Sequence, residues 1–575
     1  MTASDTVGQG FSLAYTYDST NRLTKIDASP FEKGGLRGIF SFTYDTSGRR
    51  TKLTYPNEVT TTYSYDTTGN LTNLLTQYTE LQNKGKKKPP NPVPAGFKQG
   101  LKLHTLDSFT YTHDKVGNRL SKTEAPSTLA GEGRGEGEVK YTYSYDAIYR
   151  LLQSTPTKLW HNGKEKEFEH KAETFTYDPV GNRLTGPKEK LNYTYNEGNQ
   201  LSELTKQPSP PSEGGDKGVV YTYDKNGNLT KKLKYDDDGN IKIITFYTYD
   251  FENRLTRVEM QKDGKEKIIE FTYDPFGRRL AKVIHRHEIE DEEDGDDEEG
   301  EHSHPRATYY VYDNEDIIME YNHKGKITAR YVHGLGIDEP LAIDRKGKTY
   351  YYHFDGLGSV TALTDAKGKV VQRYDYDSFG NLKHHGHKVK QPYTYTAREY
   401  DRETGLYYYR ARYYDPKMGR FISKDPFPGL TNLPQTLNHY SYVGNNPVKF
   451  IDPFGLSSLT YNFNTGSLSL YDSGGSLIGQ FPAGNNTTID SNGSWPPGTY
   501  PYSYYVPHPE SGPTGRYGSH GNFVFDVPGR QWMGVHSGRQ NPQSLTQGCI
   551  RTTDEATQTI KNLNTTDPLT SITVR

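Results

Sequence analysis

The feature that most restricts the fold is a repeat. Tyr15-Thr-Tyr-Asp-Ser-Thr-Asn-Arg-Leu23, Phe42-Thr-Tyr-Asp-Thr-Ser-Gly-Arg-Arg50, Tyr63-Ser-Tyr-Asp-Thr-Thr-Gly-Asn-Leu71, Phe175-Thr-Tyr-Asp-Pro-Val-Gly-Asn-Arg-Leu184, Tyr221-Thr-Tyr-Asp-Lys-Asn-Gly-Asn-Leu229 and Phe271-Thr-Tyr-Asp-Pro-Phe-Gly-Arg-Arg-Leu280 are variations on one unit. Aromatic-Thr-Tyr alternates with period two, as a strand does. Asp-x-x-Gly-Asn/Arg supplies a turn in which Asp caps the backbone and Gly or Asn takes the left-handed conformation. Leu-Thr begins the return strand. Each unit is a hairpin with one aromatic face that it cannot bury alone, so units must stack. Only 32% of the 575 residues are hydrophobic, yet 48 are Tyr and 57 are Gly. With a mean hydropathy of -0.90, this composition suits thin, tyrosine-faced sheets with many turns.

These units resemble the YD repeats of the Rhs and Tc-toxin family. The resemblance implies an all-β fold in which residues 1–306 wind into a hollow shell around a C-terminal cargo. A plain elongated β-array, serving as an adhesin or spacer, is the alternative. Residues 85–90, 131–137 and 208–215 read as loop insertions. So does the acidic run between His285 and His304, where like charges favour a solvated loop over a divalent-cation site. No metal site and no cofactor is expected.

In residues 307–456 the repeats lose regularity. The stretch from Ala397 to Pro426, which includes Tyr407-Tyr-Tyr-Arg-Ala-Arg-Tyr-Tyr-Asp-Pro416, closely resembles the Rhs-associated core. It ends at Pro447-Val-Lys-Phe-Ile-Asp-Pro-Phe-Gly-Leu456, similar to the family's Pro-x-x-x-x-Asp-Pro-x-Gly-Leu. The resemblance implies self-cleavage after Leu456 by an aspartyl-type mechanism, with Asp425 and Asp452 at the positions of the family's pair. Such chemistry needs two close carboxylates, one protonated to polarise the carbonyl and one ionised to activate water. Asp425-Pro-Phe-Pro-Gly429 carries one residue more than the usual Asp-Pro-x-Gly, and Asp-Pro is also a common turn opener.

After Leu456 the repeats stop, and residues 457–575 form a third domain of short strands, with a helix near 553–563 and a last strand at 570–574. Cys549 is the only cysteine, which excludes an intramolecular disulfide or a multi-cysteine metal site. It precedes Thr552-Thr-Asp-Glu555, a capping-box pattern. A thiol near a helix N-terminus is pushed toward thiolate, and His536, at the end of a predicted strand, is placed to take its proton. A free cysteine is otherwise most often a small buried hydrophobe.

His536-Ser537 followed by Thr546-Gln547-Gly548-Cys549-Ile550-Arg551 resembles the catalytic motif of L,D-transpeptidases (YkuD-like). The hairpin pattern from Ser467 to Pro482 and Pro497-Gly498-Thr499-Tyr500 agree with that family. Gln547 replaces a common second histidine and the His-to-Cys interval is short, features similar to type VI-delivered members. The resemblance implies a small, mainly-β domain with a short helix. In it Cys549 attacks diaminopimelate carbonyls of peptidoglycan stem peptides, His536 is the base, and Ser537 orients it through its backbone carbonyl. Amides around Gly548 and Cys549 would form the oxyanion hole, with Thr546, Gln547 and Arg551 at the substrate, although Arg551 equally suits bracing the loop. His508 and His520 fall on no motif position.

Net charge is -2, so no bulk signal points to nucleic acid or membrane. No Sec-type leader and no spanning apolar run is read. The expected protein is an antibacterial toxin exported by a specialised secretion apparatus, acting in the target-cell periplasm or wall and paired with a cognate immunity protein. The rival is a non-catalytic adhesin or wall-binding protein.

Overall fold

The computed structural model describes residues 2–4, 12–19, 22–28, 38–82, 100–125, 138–159, 165–166, 172–187, 191–206, 217–287, 305–334, 336, 338–385, 388–426, 434–456, 458–462, 467–471, 477–485, 495, 498–508, 517–527, 530, 533–537, 549–564, 569 and 571–574. The repeats form an antiparallel meander in which nearly every strand pairs with its chain neighbour. Thirteen strands from Thr2–Ser4 to Glu173–Thr174 make one sheet, and eighteen from Thr176–Tyr177 to Leu382–His385 make a second. The ladder passes residue 306 unbroken, since Arg279–His287 pairs with Arg306–Asp313. The boundary expected at 306/307 thus falls inside the second sheet, because the irregular units beyond it still alternate strand and turn. Residues 85–90, 131–137 and 208–215 and most of 285–304 lie outside the described residues.

The turn chemistry follows from the repeat. Asp45 Oδ1 accepts the amides of Ser47 and Arg49 at 3.0 and 2.9 Å, and Oδ2 accepts Arg49 Nε at 2.7 Å. Gly48 takes a φ of 80°, and Asn199 and Asn253 take 59° and 61° at the equivalent step. A further device is not visible in the alternation. The register shifts beside the tyrosine that follows Aromatic-Thr/Ser in unit after unit, among them Tyr44, Tyr65, Tyr177, Tyr195 and Tyr249. Such bulges bend and twist a strand, so their repetition curls the sheet. Each of these tyrosines donates its hydroxyl to a carbonyl of the preceding unit: Tyr65 to Arg50 at 2.9 Å, Tyr177 to Leu151 at 2.9 Å, Tyr195 to Arg183 at 2.7 Å. Turn arginines add a second stitch, as when Arg150 Nη1 donates to the Asp178 carbonyl at 2.7 Å.

The first sheet packs onto late strands of the second. Leu23, Phe40 and Leu53 share a core with Val332, Leu341 and Tyr351, and Arg373 pairs with Asp107 at 2.8 Å. Early strands of the second sheet cover a four-stranded sheet made of Glu399–Asp401, Leu406–Tyr409, Arg412–Asp415 and Arg420–Phe421. Strand alternation divides that sheet's aromatics between its faces. Tyr408 and Tyr413 join Leu229, Val258 and Phe271, whereas Tyr407, Tyr409, Tyr414 and Phe421 build a buried cluster with Tyr442.

The remainder is a closed eight-stranded barrel. Its strands are β1 (Ser458–Asn462), β2 (Ser467–Tyr471), β3 (Leu477–Gly484), β4 (Gly498–Val506), β5 (Asn522–Phe525), β6 (Gly534–His536), β7 (Ile550–Thr552) and β8 (Ser571–Val574), arranged β1-β2-β3-β7-β6-β5-β4-β8 and closed by a parallel β8–β1 pair. Leu459, Leu470, Trp495, Phe523, Val535, Ile550 and Ile572 fill it, together with Ile560 of helix α1 (Asp554–Asn564). The helix cap is Thr553, whose hydroxyl accepts the Ala556 amide at 3.1 Å. Thr552, the first residue of the expected capping box, instead ends β7 and donates its hydroxyl to the Pro482 carbonyl at 2.8 Å. Among the described residues no helix is long and apolar enough to cross a membrane.

Candidate functional site

The segment ending at Leu456 lies along the hairpin turn that joins two strands of the four-stranded sheet. Arg410 Nη1 donates to the Pro453 carbonyl, the Ala411 amide to the Phe454 carbonyl at 3.2 Å, and Arg412 Nε to the Gly455 carbonyl at 2.8 Å. Three consecutive residues therefore hold three consecutive carbonyls. Gly455 has a φ of 67°, and a Cβ there would come within 2.7 Å of the Tyr409 carbonyl oxygen, so only glycine meets both demands.

This docking brings Asp425 and Asp452 to one guanidinium. Arg412 Nη1 is 3.0 Å from Asp425 Oδ2 and Nη2 is 3.8 Å from Asp452 Oδ2, while the guanidinium lies 3.7 Å from the Phe421 ring centroid. Asp425 is only 4% exposed and Asp452 2%. Asp452 Oδ1 accepts the Gly455 amide at 2.7 Å, and its Oδ2 has no hydrogen-bond partner among the described residues. Burial pushes the Asp452 carboxyl from 3.8 up to about 7, against the opposing pull of Arg412 and the Gly455 amide. A carboxyl that keeps its proton near neutrality beside an ion-paired carboxylate is an arrangement suited to acid–base hydrolysis. Leu456, partly buried, follows Gly455 directly; Ser457 lies outside the described residues. The motif reading passed over Arg412, although two buried carboxylates call for a cation and the aromatic-rich motif carries one at that position.

The second group of expected residues sits on one face of the barrel. β6 and β7 pair in parallel with Val535 opposite Ile550 and His536 opposite Arg551. Val535 and Ile550 point into the core, so alternation sets His536, Cys549 and Arg551 on the other face. Cys549, immediately before β7, lies diagonally from His536 in this register. His536 Nδ1–H donates to the Ser537 carbonyl at 2.7 Å. A carbonyl only accepts, so the ring proton lies on Nδ1 and Nε2 is left to accept one. His536, Ser537 and Arg551 are buried, whereas Cys549 is half-buried. Thr546, Gln547 and Gly548 lie outside the described residues.

One expectation about Cys549 needs correction. It is expected near the N-terminus of a helix, but β7 stands between it and α1 and carries the chain about 10 Å onward before the helix begins. The field of a helix N-terminus falls off within its first turn, so the α1 dipole does not account for an activated thiol.

Several supporting residues escaped the motif reading. Asn485 Nδ2 donates to the Cys549 carbonyl at 2.9 Å and its Oδ1 accepts the Trp495 amide at 2.8 Å, tying the Cys549 backbone to the end of β3. Ser537 donates its hydroxyl to Asp554, which also accepts the Ser519 hydroxyl at 2.7 Å. Burial pushes the Asp554 carboxyl up, but the hydrogen bonds from Ser537 and Ser519 outweigh it and hold the group below its usual range. Tyr517 meets the His536 ring edge-on at 5.2 Å and stacks on His508 at 4.1 Å, giving His508 a place beside the site. His520 lies close enough to Asp554 to favour its charged form. Among the described residues no three His, Cys, Asp or Glu side chains converge as a metal site.

Comparison with known proteins bears on the repeats. The tRNA3(Ser)-specific nuclease WapA of Bacillus spizizenii is 29% identical over 454 residues, which cover 77% of this chain and 16% of WapA. This chain therefore spans about a sixth of that relative's length. A chain in the crystal structure of TcdB2-TccC3-Cdc42 aligns with a TM-score of 0.48 and 21% identity, over 79% of this chain and 21% of that one. The crystal structure of the L,D-transpeptidase (residues 123–326) from Xylanimonas cellulosilytica aligns with a TM-score of 0.17 and 15% identity, over 21% of this chain and 60% of that one. Neither structural likeness is strong enough to argue from. A family model described as RHS Repeat matches residues 44–77. Another, described as Teneurin YD-shell, matches residues 134–448, more than half of the sequence, and the chain accordingly belongs to the YD-shell family.

Proposed function

We propose that this is a secreted YD-shell toxin that cuts itself behind Leu456 and so frees its barrel, a cysteine acyl-transfer enzyme acting on peptidoglycan stem peptides. In the self-cleavage a water oxygen adds to the Leu456 carbonyl carbon. The water proton passes to Asp425, and Asp452 gives its proton to the carbonyl oxygen. The intermediate then returns one proton to Asp452 and takes one from Asp425 onto the Ser457 nitrogen as the C–N bond breaks.

The observation that carries the second activity is the strand register, which sets the half-buried Cys549 on the same face as His536, whose Nδ1–H is given to the Ser537 carbonyl. Cys549 Sγ bonds to the diaminopimelate carbonyl carbon, and its proton passes through His536 Nε2 to the amine of the departing D-Ala. Water or a second amine then resolves the thioester, giving carboxypeptidase or transpeptidase and exchange activity. Arg551 is too buried for a long reach and suits bracing the β6–β7 pair as well as meeting a substrate carboxylate. A toxin of this kind requires a cognate immunity protein and a secretion apparatus, and would work in the target-cell periplasm.

The test is a muropeptide profile: tetrapeptide muropeptides incubated with the self-processed chain, compared with Cys549→Ala. The reading expects loss of terminal D-Ala only with the wild type. An unchanged profile with both proteins sinks it and favours a non-catalytic wall-binding or adhesive role.

A second reading, an effector acting on RNA, is favoured by the name of WapA, a tRNA nuclease. Against it, residues 457–575 carry six Lys and Arg against seven Asp and Glu, without the positive charge by which proteins hold a polyanion. Degradation of tRNA by the processed chain, unaffected by Cys549→Ala, would establish it.

A further inference from the structure

The loop that ends at Glu339 touches three parts of the molecule at once. Glu339 pairs with Arg50 of the first sheet. Its neighbour Asp338 pairs with both Arg398 and Arg410 of the core: Arg410 Nη2 is 2.9 Å from Asp338 Oδ1 and Nη1 is 3.3 Å from Oδ2. The same Nη1 donates to the Pro453 carbonyl, and the guanidinium lies 5.1 Å from the Phe454 ring centroid. Arg410 thus spans, with one planar fork, an acid from the second sheet and the chain three residues before Leu456. A lysine has no such fork.

Two backbone observations make this contact unusual. Arg410 sits in the left-handed region at φ 58°, which an arginine rarely adopts and which persists only where surroundings enforce it; Asp338 is there too at φ 56°, a conformation aspartate takes more readily. Both side chains are nearly buried, at 11% and 7% exposure. Each charge also keeps a second partner, Arg398 for Asp338 and, at 3.4 Å, Glu315 for Arg410, so the pair aligns the fork rather than merely neutralising it.

We propose that Asp338 is a positioning residue for the self-cleavage: through Arg410 it holds the Pro453 carbonyl and so presents the Leu456 peptide to Asp425, Arg412 and Asp452. Because the neighbouring Glu339 is tied to Arg50, the clamp forms only once the first sheet has docked on the second. Cleavage is thereby licensed by assembly of the shell. The inference rests on the reading that the chain cuts itself, and extends it from the acids to the loop that aligns their substrate.

The experiment follows the fragment beginning at Ser457 by mass spectrometry after pulse-labelled cell-free synthesis of the full chain. It compares wild type, Asp338→Asn, Asp338→Glu and Arg410→Lys. Melting temperatures of the same substitutions are taken in an Asp452→Asn background, where no chain is cut. The expected result is wild-type cleavage, a slowing of roughly ten- to a hundredfold in Asp338→Asn and Arg410→Lys out of proportion to any fall in melting temperature, and recovery toward wild type in Asp338→Glu. Cleavage of Asp338→Asn at the wild-type rate overturns the positioning role while leaving self-cleavage standing. Slowing that tracks a lowered melting temperature and is not recovered by Asp338→Glu also overturns it, assigning Asp338 to the fold. An uncut wild type overturns self-cleavage itself.

Discussion

The two sites solve opposite problems. On the proposed reading the Asp425–Arg412–Asp452 group acts on a peptide of its own chain and needs no route for an incoming substrate. Both acids are buried, with Phe421 over the guanidinium between them: burial lifts Asp452 to about 7, and one guanidinium keeps the two acids together. The Cys549–His536 pair must meet a substrate from outside. Cys549 is half-buried, and on the proposed reading the chemistry comes from hydrogen-bond direction, with the Ser537 carbonyl fixing the imidazole tautomer. If the proposed functions hold, a site that works once on itself is built from desolvation, and one that turns over from register and a fixed donor.

The comparison implies that the sites fail independently, and substitutions can test this from the largest effect downward. Cys549→Ala should abolish muropeptide turnover, a loss of roughly 10⁴-fold or more, while the Ser457 fragment forms at the wild-type rate. Asp452→Asn should do the reverse, slowing self-cleavage by about 10²–10⁴-fold with no change in muropeptide turnover by a barrel freed with an added protease. If either substitution disables both activities, the separation is wrong.

The pH dependence sharpens the contrast. Asp452 acts as an acid and must hold its proton. Self-cleavage should therefore proceed below about 7 and fall about tenfold per unit above it, reaching about a hundredfold loss at pH 9 as the raised carboxyl ionises. Muropeptide turnover, which needs a neutral imidazole and a departing thiol proton, should not fall in that range. A cleavage rate flat from pH 6 to 9 would show that Asp452 is not the proton donor.

The smallest effect concerns the scaffold. Tyr177→Phe removes one stitch between units, the hydroxyl given to Leu151 at 2.9 Å. It should cost about 0.5–1.5 kcal/mol in denaturant unfolding without altering cleavage.

How much of this was readable beforehand differs between the regions for a physical reason. In the repeats, period-two aromatics and Asp-x-x-Gly turns are local signals, so strands, turns and even the left-handed Asn199 and Asn253 follow from the chain itself. The bulge at Tyr65 or Tyr177 does not, because it depends on the partner strand's register. In the barrel, helix α1 and the last strand fell within one residue of expectation. The cap shifted from Thr552 to Thr553 because a tertiary contact to Pro482 claimed Thr552. Asp425 and Asp452 were legible as motif positions. Arg412 between them, and Asn485 behind Cys549, were not, since each is defined by a contact between segments far apart in sequence.

The most direct test of self-cleavage is the intact mass of the purified full-length chain. Wild type should resolve into two species separated between Leu456 and Ser457, and Asp452→Asn into a single 65.2 kDa chain. A wild-type chain that remains whole at 65.2 kDa after prolonged incubation at pH 6 would contradict it.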